Sequence, residues 1–125
     1  MEKISCFQEG DGKWKVNLTL IRTTEGKGIV AVLVGGEEPH IGAIAVGLPR
    51  SISHHPEKIR STTSVFTFPG HLDDRVAVPS ATELAEKLRE PVVVVSGIHV
   101  YHATTDDIDK LVSNSRKIIE KATKR

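Results

Sequence analysis

The stretch Ile29–Gly47, IVAVLVGGEEPHIGAIAVG, decides the fold of this 125-residue chain. Two apolar, β-branched runs, Ile29–Val34 and Ile41–Val46, flank a loop that extends from Gly35 to His40. This is the pattern of two strands joined by a turn. Because both runs are almost uninterrupted, they predict central strands that are covered on both faces.

The loop between the two runs has the composition of a binding loop. It consists of Gly35, Gly36, Glu37, Glu38, Pro39 and His40, and it leads into Ile41 and Gly42. Paired glycines permit positive φ and the close approach of another group to the backbone, while the proline fixes φ. Such a loop can present backbone N–H groups and an imidazole to a ligand. A tight turn with a solvent-facing histidine fits the same residues.

The segments on either side of this stretch predict further strands. Trp14–Arg22 alternates apolar and polar residues, which is typical of a half-buried strand, and a weaker strand at Lys3–Glu9 precedes it across a turn at Gly10–Gly12. Together with the two central strands they predict an antiparallel meander. On the other side, Pro49–Thr63 is polar and irregular and predicts a mobile surface loop, and Ser64–Phe68 regains strand character.

A first helix is expected to begin at Ser80. The segment Ser80–Glu83 matches a capping box, and an apolar stripe follows it. A helix that began nearer Asp73 would place Pro79 in its interior, where proline removes a backbone hydrogen bond.

The last third of the chain predicts one buried strand and one long helix. Val92–Val95 is too apolar and β-branched for any other assignment, and Thr104 or Thr105 caps the helix. His102 is expected to mark the entry to that helix. The fold class is therefore α/β: a mixed, largely antiparallel sheet of about five or six strands with two helices, within a single domain, residues 1–125.

Composition argues against several classes of partner. The chain has 17 basic and 16 acidic residues, a formal charge of +1 and 4% aromatic residues, so it lacks both a basic field and a base-stacking surface for nucleic acid. No apolar run approaches the roughly 20 residues that cross a bilayer. The single cysteine, Cys6, and the absence of a secretory signal predict a cytoplasmic protein.

Three of the six histidines follow a glycine where a strand is expected to end: His40, His71 and His99. If these strand ends lie on one edge of the sheet, the three rings line a single pocket. The charged residues expected beside them are Asp73, Asp74 and Arg75. Ligand sites in α/β folds commonly occupy such an edge, where backbone donors can hold an anion.

The same residues allow other interpretations. Imidazoles and Asp74 could bind a transition metal, although they come from separate segments without a typical ligand spacing. A histidine beside an aspartate could act as an acid or base, but no nucleophile accompanies it and no GxSxG turn occurs. The glycines fit neither GxxxxGK[ST] nor GxGxxG. Each histidine could also satisfy a buried carbonyl independently of the others.

Three motifs together resemble those of the LpdD family. They are Gly35-Gly36-x-x-Pro39-His40-Ile41-Gly42, then Gly70-His71-x-x-Asp74 ahead of a helix, then Gly97-Ile98-His99-Val100 followed by Thr105. The resemblance covers about residues 28 to 120. The family consists of small accessory proteins that are named after the D subunit of bacterial gallate decarboxylase and described as prenylated-flavin chaperones.

The resemblance implies a non-catalytic role: binding prenylated flavin mononucleotide (FMN), or FMN itself, and helping to load it into a UbiD-type decarboxylase. It also implies a fold similar to that of proteasome assembly chaperones, and a homodimer. The cofactor-binding residues would be Gly35, Gly36, Pro39, His40, Ile41, Gly42, Gly70, His71, Asp74, Arg75, Gly97 and His99. The alternatives are a metal-dependent enzyme that uses His40, His71 and His99, and a proteasome-type assembly chaperone.

Overall fold

The computed structural model describes residues 3–69 and 73–124, which form one six-stranded mixed sheet and two α-helices. This confirms the predicted fold class. In chain order the elements are β1 (Ile4–Glu9), a 3-10 turn (Gly12–Trp14), β2 (Val16–Arg22), β3 (Ile29–Gly36), β4 (Ala43–Ile52), β5 (His55–Thr67), α1 (Asp74–Leu88), β6 (Val92–His99) and α2 (Thr105–Thr123).

The strands are ordered β1-β2-β3-β6-β4-β5, so β6 lies between β3 and β4, the two strands that the stretch Ile29–Gly47 forms. β6 runs parallel to β3 and antiparallel to β4, and all other neighbouring strands are antiparallel. The predicted hairpin between β3 and β4 is therefore wrong. In the register, Val95 pairs with Val32 on one side and with Ile44 on the other. The valine run of β6 takes the central position, where both of its edges are hydrogen-bonded.

Both helices pack on the same face of the sheet. α1 lies on β4, β5 and β6, and α2 lies on β1 and β2 and contacts α1. The side chains beneath them are fully buried, as at Leu18, Leu33 and Ala43. Side chains that point to the other face, such as Val32 and Val95, stay partly exposed. The prediction that the central strands are covered on both faces is wrong for a single chain, since no described element packs on the second face.

The segment predicted as a mobile loop, Pro49–Thr63, belongs instead to the long β4–β5 hairpin. Its residues pair in register from Pro49 with Ser61 to Ser51 with Ile59, and the register shifts between Ser51 and Ile52. Composition misled the prediction because the polar residues, which include threonines, serines and arginines, are ones that a solvent-exposed hairpin accepts. Proline is tolerated at position 49 because β4 has already passed the end of β6 and has one strand neighbour there.

α1 begins at Asp74, and the predicted capping box at Ser80 is wrong, because Ser80 lies buried inside the helix. Pro79 removes only the hydrogen bond to the carbonyl of Arg75. The additional turn places Ala77 in the core with no exposed surface, which favours the longer helix.

α2 begins as predicted. The Thr104 hydroxyl accepts a hydrogen bond from the backbone N–H of Asp107, and the Asp107 carboxylate accepts one from the N–H of Thr104, at 3.1 and 2.9 Å. This reciprocal pair is a capping box. Among the described residues, neither helix is long and apolar enough to cross a lipid bilayer.

Candidate functional site: a cavity at the carboxyl end of β6

A cavity of about 350 Å³ opens where the carboxyl end of β6 meets the first turns of α1 and α2. This volume lies near the lower limit for small-molecule sites. Its lining residues are His40, Asp73, Arg75, Val76, Ile98, His99, Val100, His102, Ala103, Ile108, Leu111 and Val112.

The cavity is apolar on the helix side and polar at its rim. Val76 of α1 and Leu111 and Val112 of α2 form much of the apolar wall. Arg75, at the rim, contributes the only guanidinium among the described lining residues. An amphipathic ligand with an anionic end matches this division between wall and rim.

The β3–β4 loop reaches the cavity by crossing the end of β6. The backbone N–H groups of Glu37 and Glu38 both donate to the carbonyl of His99, at 2.7 and 3.2 Å. The Glu37 carboxylate accepts from the N–H of Tyr101 at 2.9 Å, and the Tyr101 hydroxyl donates to the Glu38 carboxylate. These contacts fix the loop to the segment that follows β6 and so hold His40 beside the end of that strand.

The His40 ring is held from both sides by the chain. Its Nδ1 lies 2.9 Å from the carbonyl of Glu38, and its Nε2 lies 3.2 Å from a carboxylate oxygen of Asp73. The other oxygen of Asp73, a buried residue, accepts from the N–H of Ile98 at 2.9 Å. Asp73 thereby connects the loop, the start of α1 and β6. Because both nitrogens of His40 have protein partners, this histidine mainly positions the cavity wall.

His99 and His102 present their rings differently. The His99 ring meets the rings of His40 and Tyr101 edge to face, with centroids 6.2 and 5.0 Å apart. His102 adopts φ = 52°, in the left-handed region that is uncommon for residues other than glycine. Within the described part of the chain, neither imidazole has a hydrogen-bonded partner, so both can donate to or accept from a ligand in the cavity.

The glycines of the motifs allow close approach, but the approaching group is the chain itself. A β-carbon added at Gly97 would lie 1.7 Å from the carbonyl oxygen of His40, and one at Gly36 would lie 2.3 Å from that of His99. A β-carbon at Gly35 would lie nearest the carbonyl oxygen of Lys15, and one at Gly42 would lie nearest the carboxylate of Asp73. Gly36 and Gly97 therefore make room for the loop to cross the end of β6, whereas Gly35 and Gly42 make room for β2 and for Asp73.

The other residues singled out from the sequence fall in several places. Pro39 and Ile41 are exposed on the loop and do not line the cavity. Asp74 is the first residue of α1 and does not line the cavity either, whereas its neighbour Asp73 does. Gly70 and His71 lie outside the described residues. Two of the three post-glycine histidines, His40 and His99, are brought together.

Sequence reasoning missed His102 and the apolar wall from α2. Sequence reasoning assigned His102 only to the entry of the helix. Its position between a strand end and a helix cap could have indicated a site residue. Ile108 and Leu111 recur at helical spacing, a pattern that is the same for a core and for a cavity wall. Ile108 is 41% exposed, so the apolar stripe of α2 extends beyond the part of the helix that packs on the sheet.

No group of three or more histidine, cysteine or acidic side chains could hold a metal ion within residues 3–69 and 73–124. The metal-dependent alternative therefore has no ligand set among the described residues.

Residues 10–125 match the family model described as "Prenylated flavin chaperone LpdD-like domain". The chain belongs to this LpdD-like family. The match includes every described residue that lines the cavity, and it agrees with the family predicted from the three motifs. No curated protein matches the sequence of this LpdD-like chain.

The LpdD-like chain also has a structural relative. It superimposes on a chain from the "Crystal Structure of a Novel Chaperone Complex for Yeast 20S Proteasome Assembly" with a TM-score of 0.58 and 15% identity, covering 97% of this chain and 93% of that one. At that identity the likeness shows the fold alone. It bears out the predicted similarity to proteasome assembly chaperones.

Proposed function

We propose that this LpdD-like protein binds prenylated FMN or FMN in the cavity and delivers it to a UbiD-type decarboxylase without catalysing a reaction itself. The family description names the ligand class. The observation that supports it here is the cavity, in which apolar helix side chains face a rim of imidazoles and one guanidinium.

The lining residues fit the chemistry of a flavin nucleotide. Such a ligand combines a flat, partly apolar ring system, which prenylation enlarges, with ring carbonyls and a phosphate. Leu111 and Val112 offer an apolar surface to the ring, and His99 and His102 can hydrogen-bond to its polar edge. Arg75 is exposed at the rim, where a guanidinium can pair with the phosphate.

The lining also favours a carrier over a covalent catalyst. Among the described residues that line the cavity there is no serine, cysteine, threonine or lysine, which are the usual nucleophiles. His40, the histidine best placed to act with an aspartate, has both nitrogens held by Glu38 and Asp73. The cofactor would supply its reactivity only after transfer to the decarboxylase.

Three exposed apolar side chains suit the contact with that decarboxylase. Ile41 and Tyr101 are each 53% exposed. Ile41 follows His40 in the chain, Tyr101 lies between His99 and His102, and Ile108 lines the cavity itself. Exposed apolar residues around a ligand site are typical of a protein-binding rim. The exposed thiol of Cys6 suits the reducing cytosol, where we place this transfer.

Flavin binding can be measured by titrating the purified protein into FMN and into prenylated FMN and following flavin fluorescence and absorbance. We expect quenching that saturates. Arg75→Ala should weaken binding about tenfold, because a charge-assisted hydrogen bond contributes roughly 1.5 kcal/mol or more. Arg60→Ala, which removes an exposed arginine from β5, is the matched control and should bind as the wild type does.

The proposal would be contradicted if FMN and prenylated FMN both failed to bind at high protein concentration. Binding that Arg75→Ala and His99→Ala leave unchanged would place the ligand outside this cavity. Transfer is tested by adding the flavin-loaded protein to an apo decarboxylase of the UbiD type and measuring recovered activity, with Ile108→Glu expected to slow the transfer.

A further inference from the structure

A second, smaller cavity of about 80 Å³ lies between α1 and α2 and adjoins the candidate ligand cavity. The two spaces share three lining residues, Arg75 and Val76 of α1 and Val112 of α2. The smaller space is called the interhelical cleft below. Its other polar lining residues are Ser80, Glu83, Ser115 and Arg116.

One face of α2 runs along both spaces. Ile108 lines the ligand cavity, Val112 lines both spaces, and Ile119 lines the cleft. Arg116, which also lines the cleft, follows Val112 by four residues, and residues three or four positions apart share a helix face. This spacing is about one turn, a rise of about 6 Å along the helix. The ligand cavity and the cleft are therefore successive parts of one groove.

The interhelical cleft carries two cations that lack an acidic partner. Arg75 and Arg116 are both exposed, and within the described part of the chain neither guanidinium makes an ion pair or a hydrogen bond. Glu83, the one carboxylate among the described residues of the cleft, lies 3.2 Å from Nζ of Lys87. Two guanidiniums in so small a space repel each other unless an anion lies between them, and their planar donors suit a phosphate.

Ser80 adds a neutral hydrogen-bonding group to the cleft. It is only 5% exposed, and its hydroxyl has no hydrogen-bonded partner within residues 3–69 and 73–124. Ser115, the other buried serine of the cleft, differs because its hydroxyl donates to the carbonyl of Leu111 at 2.8 Å. A largely buried hydroxyl without a partner costs free energy, which a hydrogen bond to a ligand oxygen would recover.

We infer that the interhelical cleft binds the phosphate group of a ligand whose apolar ring occupies the adjoining cavity. Arg75 and Arg116 pair with the phosphate, and Ser80 donates a hydrogen bond to it. FMN has this division, since a flexible ribityl chain separates its ring from its phosphate. The identity of the ligand rests on the proposed function, whereas the anion site rests on the residues of the cleft. Such a site would select FMN over riboflavin, which has the same ring and no phosphate.

The test compares FMN with riboflavin by titration followed through flavin fluorescence. We expect the wild type to bind FMN at least about tenfold more tightly, because riboflavin leaves the charge-assisted hydrogen bonds unmade. Arg116→Ala should lose most of this preference by weakening FMN binding alone, with riboflavin affinity unchanged. Arg116→Lys keeps the charge without the planar donors, so it should retain part of the preference.

The matched control is Lys117→Ala. Lys117 is the next residue of α2, carries the same charge, is exposed and does not line the cleft, so this variant should keep the full preference for FMN. Equal affinities of the wild type for FMN and riboflavin would overturn the inference. Equal losses for Arg116→Ala and Lys117→Ala would overturn it too, because they would show an effect of net charge alone.

A wild type that binds neither flavin would contradict the proposed function, and inorganic phosphate then decides the fate of the anion site. Phosphate titrated into the flavin-free protein should shift the side-chain N–H NMR signals of Arg75 and Arg116 until they saturate. The signals of Arg60, an exposed arginine of β5, should not move. Signals of Arg75 and Arg116 that stay in place, or that move no more than those of Arg60, would overturn the anion site.

Discussion

At the scale of single residues, the site depends on glycines beside which other atoms of the same chain occupy the space of a side chain. The loop carbonyl of His40 passes directly over Gly97, and the Asp73 carboxylate lies against Gly42. Sequence reasoning identified these glycines as positions of close approach but assigned the approach to a ligand. The physical requirement, a missing β-carbon, is the same in both cases, so the pattern alone does not distinguish them.

Gly97→Ala should therefore destabilise the protein and disturb the cavity together. The new β-carbon would lie 1.7 Å from the His40 carbonyl oxygen, so the loop would have to move. We expect the free energy of unfolding in urea to fall by more than about 2 kcal/mol, and flavin affinity to fall with it.

The control for this substitution is Gly26→Ala. Gly26 has φ = 77° and open space around its Cα, so the substitution tests backbone strain alone and should cost about 1 kcal/mol without changing flavin binding. Equal losses for the two variants would show that the crossing at Gly97 is not tight.

At the scale of elements, the start of α2 is fixed by its capping box and by contacts with the 3-10 turn. Asp107 is buried there and accepts hydrogen bonds from the N–H of Thr104 and from the indole N–H of Trp14, at 2.9 and 2.8 Å. Lys13 lies 3.4 Å from the same carboxylate. The backbone hydrogen bond from Thr104, followed by that from Trp14, holds the pKa of Asp107 well below its ordinary value, with a smaller contribution from Lys13.

This depressed pKa predicts how stability depends on pH. The unfolded chain binds a proton at Asp107 more readily than the folded chain does, so the stabilisation is complete above about pH 4 and is lost as the pH falls toward the lower folded value. Asp107→Asn should be less stable than the wild type at pH 7, and the difference should shrink below pH 4. Urea unfolding at several pH values measures this.

Two further variants serve as comparisons in the Asp107 experiment. Thr104→Ala removes the other half of the capping box and should cost about 1 kcal/mol. Asp109→Asn changes an exposed aspartate on the same helix and should leave the pH dependence unaltered. A constant difference between Asp107→Asn and the wild type from pH 7 to pH 3 would contradict the prediction.

At the scale of the whole molecule, stability should depend on protein concentration. The homodimer that the family resemblance implies is favoured by mass action, so if folding and association are coupled, each tenfold rise in concentration adds about 1.4 kcal/mol per dimer. The wild-type melting temperature should then rise by about 3 °C for each tenfold increase in concentration. Differential scanning fluorimetry or calorimetry over two decades of concentration measures the slope.

Phe66, which is 72% exposed and points to the face of the sheet opposite the helices, provides the comparison for the melting experiment, and its neighbour Val65 points to the helix side. Phe66→Glu should melt at a temperature that does not change with concentration, while Val65→Glu should follow the wild type. Identical slopes for both variants would contradict a dimer formed through the face of the sheet opposite the helices.

The local patterns of the sequence predicted much of this fold because local physics decides those features. The β-branched runs form β3 and β6, the two helices and the mixed sheet are present, and Thr104 caps α2. Each of these features follows from residues within a few positions of one another along the chain. The motif series likewise identified the family.

The features that the sequence did not reveal depend on residues far apart in the chain. The insertion of β6 between β3 and β4 joins residues 45 to 63 positions apart, and no local pattern encodes which strands become neighbours. Pro79 lies within α1 because the burial of Ala77 outweighs one lost hydrogen bond, a balance that only packing reveals.

The sequence by itself determined most of the element types, the family and the residues available for a site, although it missed the extended β4–β5 hairpin. The tertiary structure alone decided which of those residues meet: it joined His40 to Asp73, added His102 and the α2 wall to the cavity, and left one apolar face of the sheet without a cover. The reason is physical, since backbone preferences and hydrophobic periodicity act over a few residues, whereas a cavity or an open face exists only once distant segments have packed.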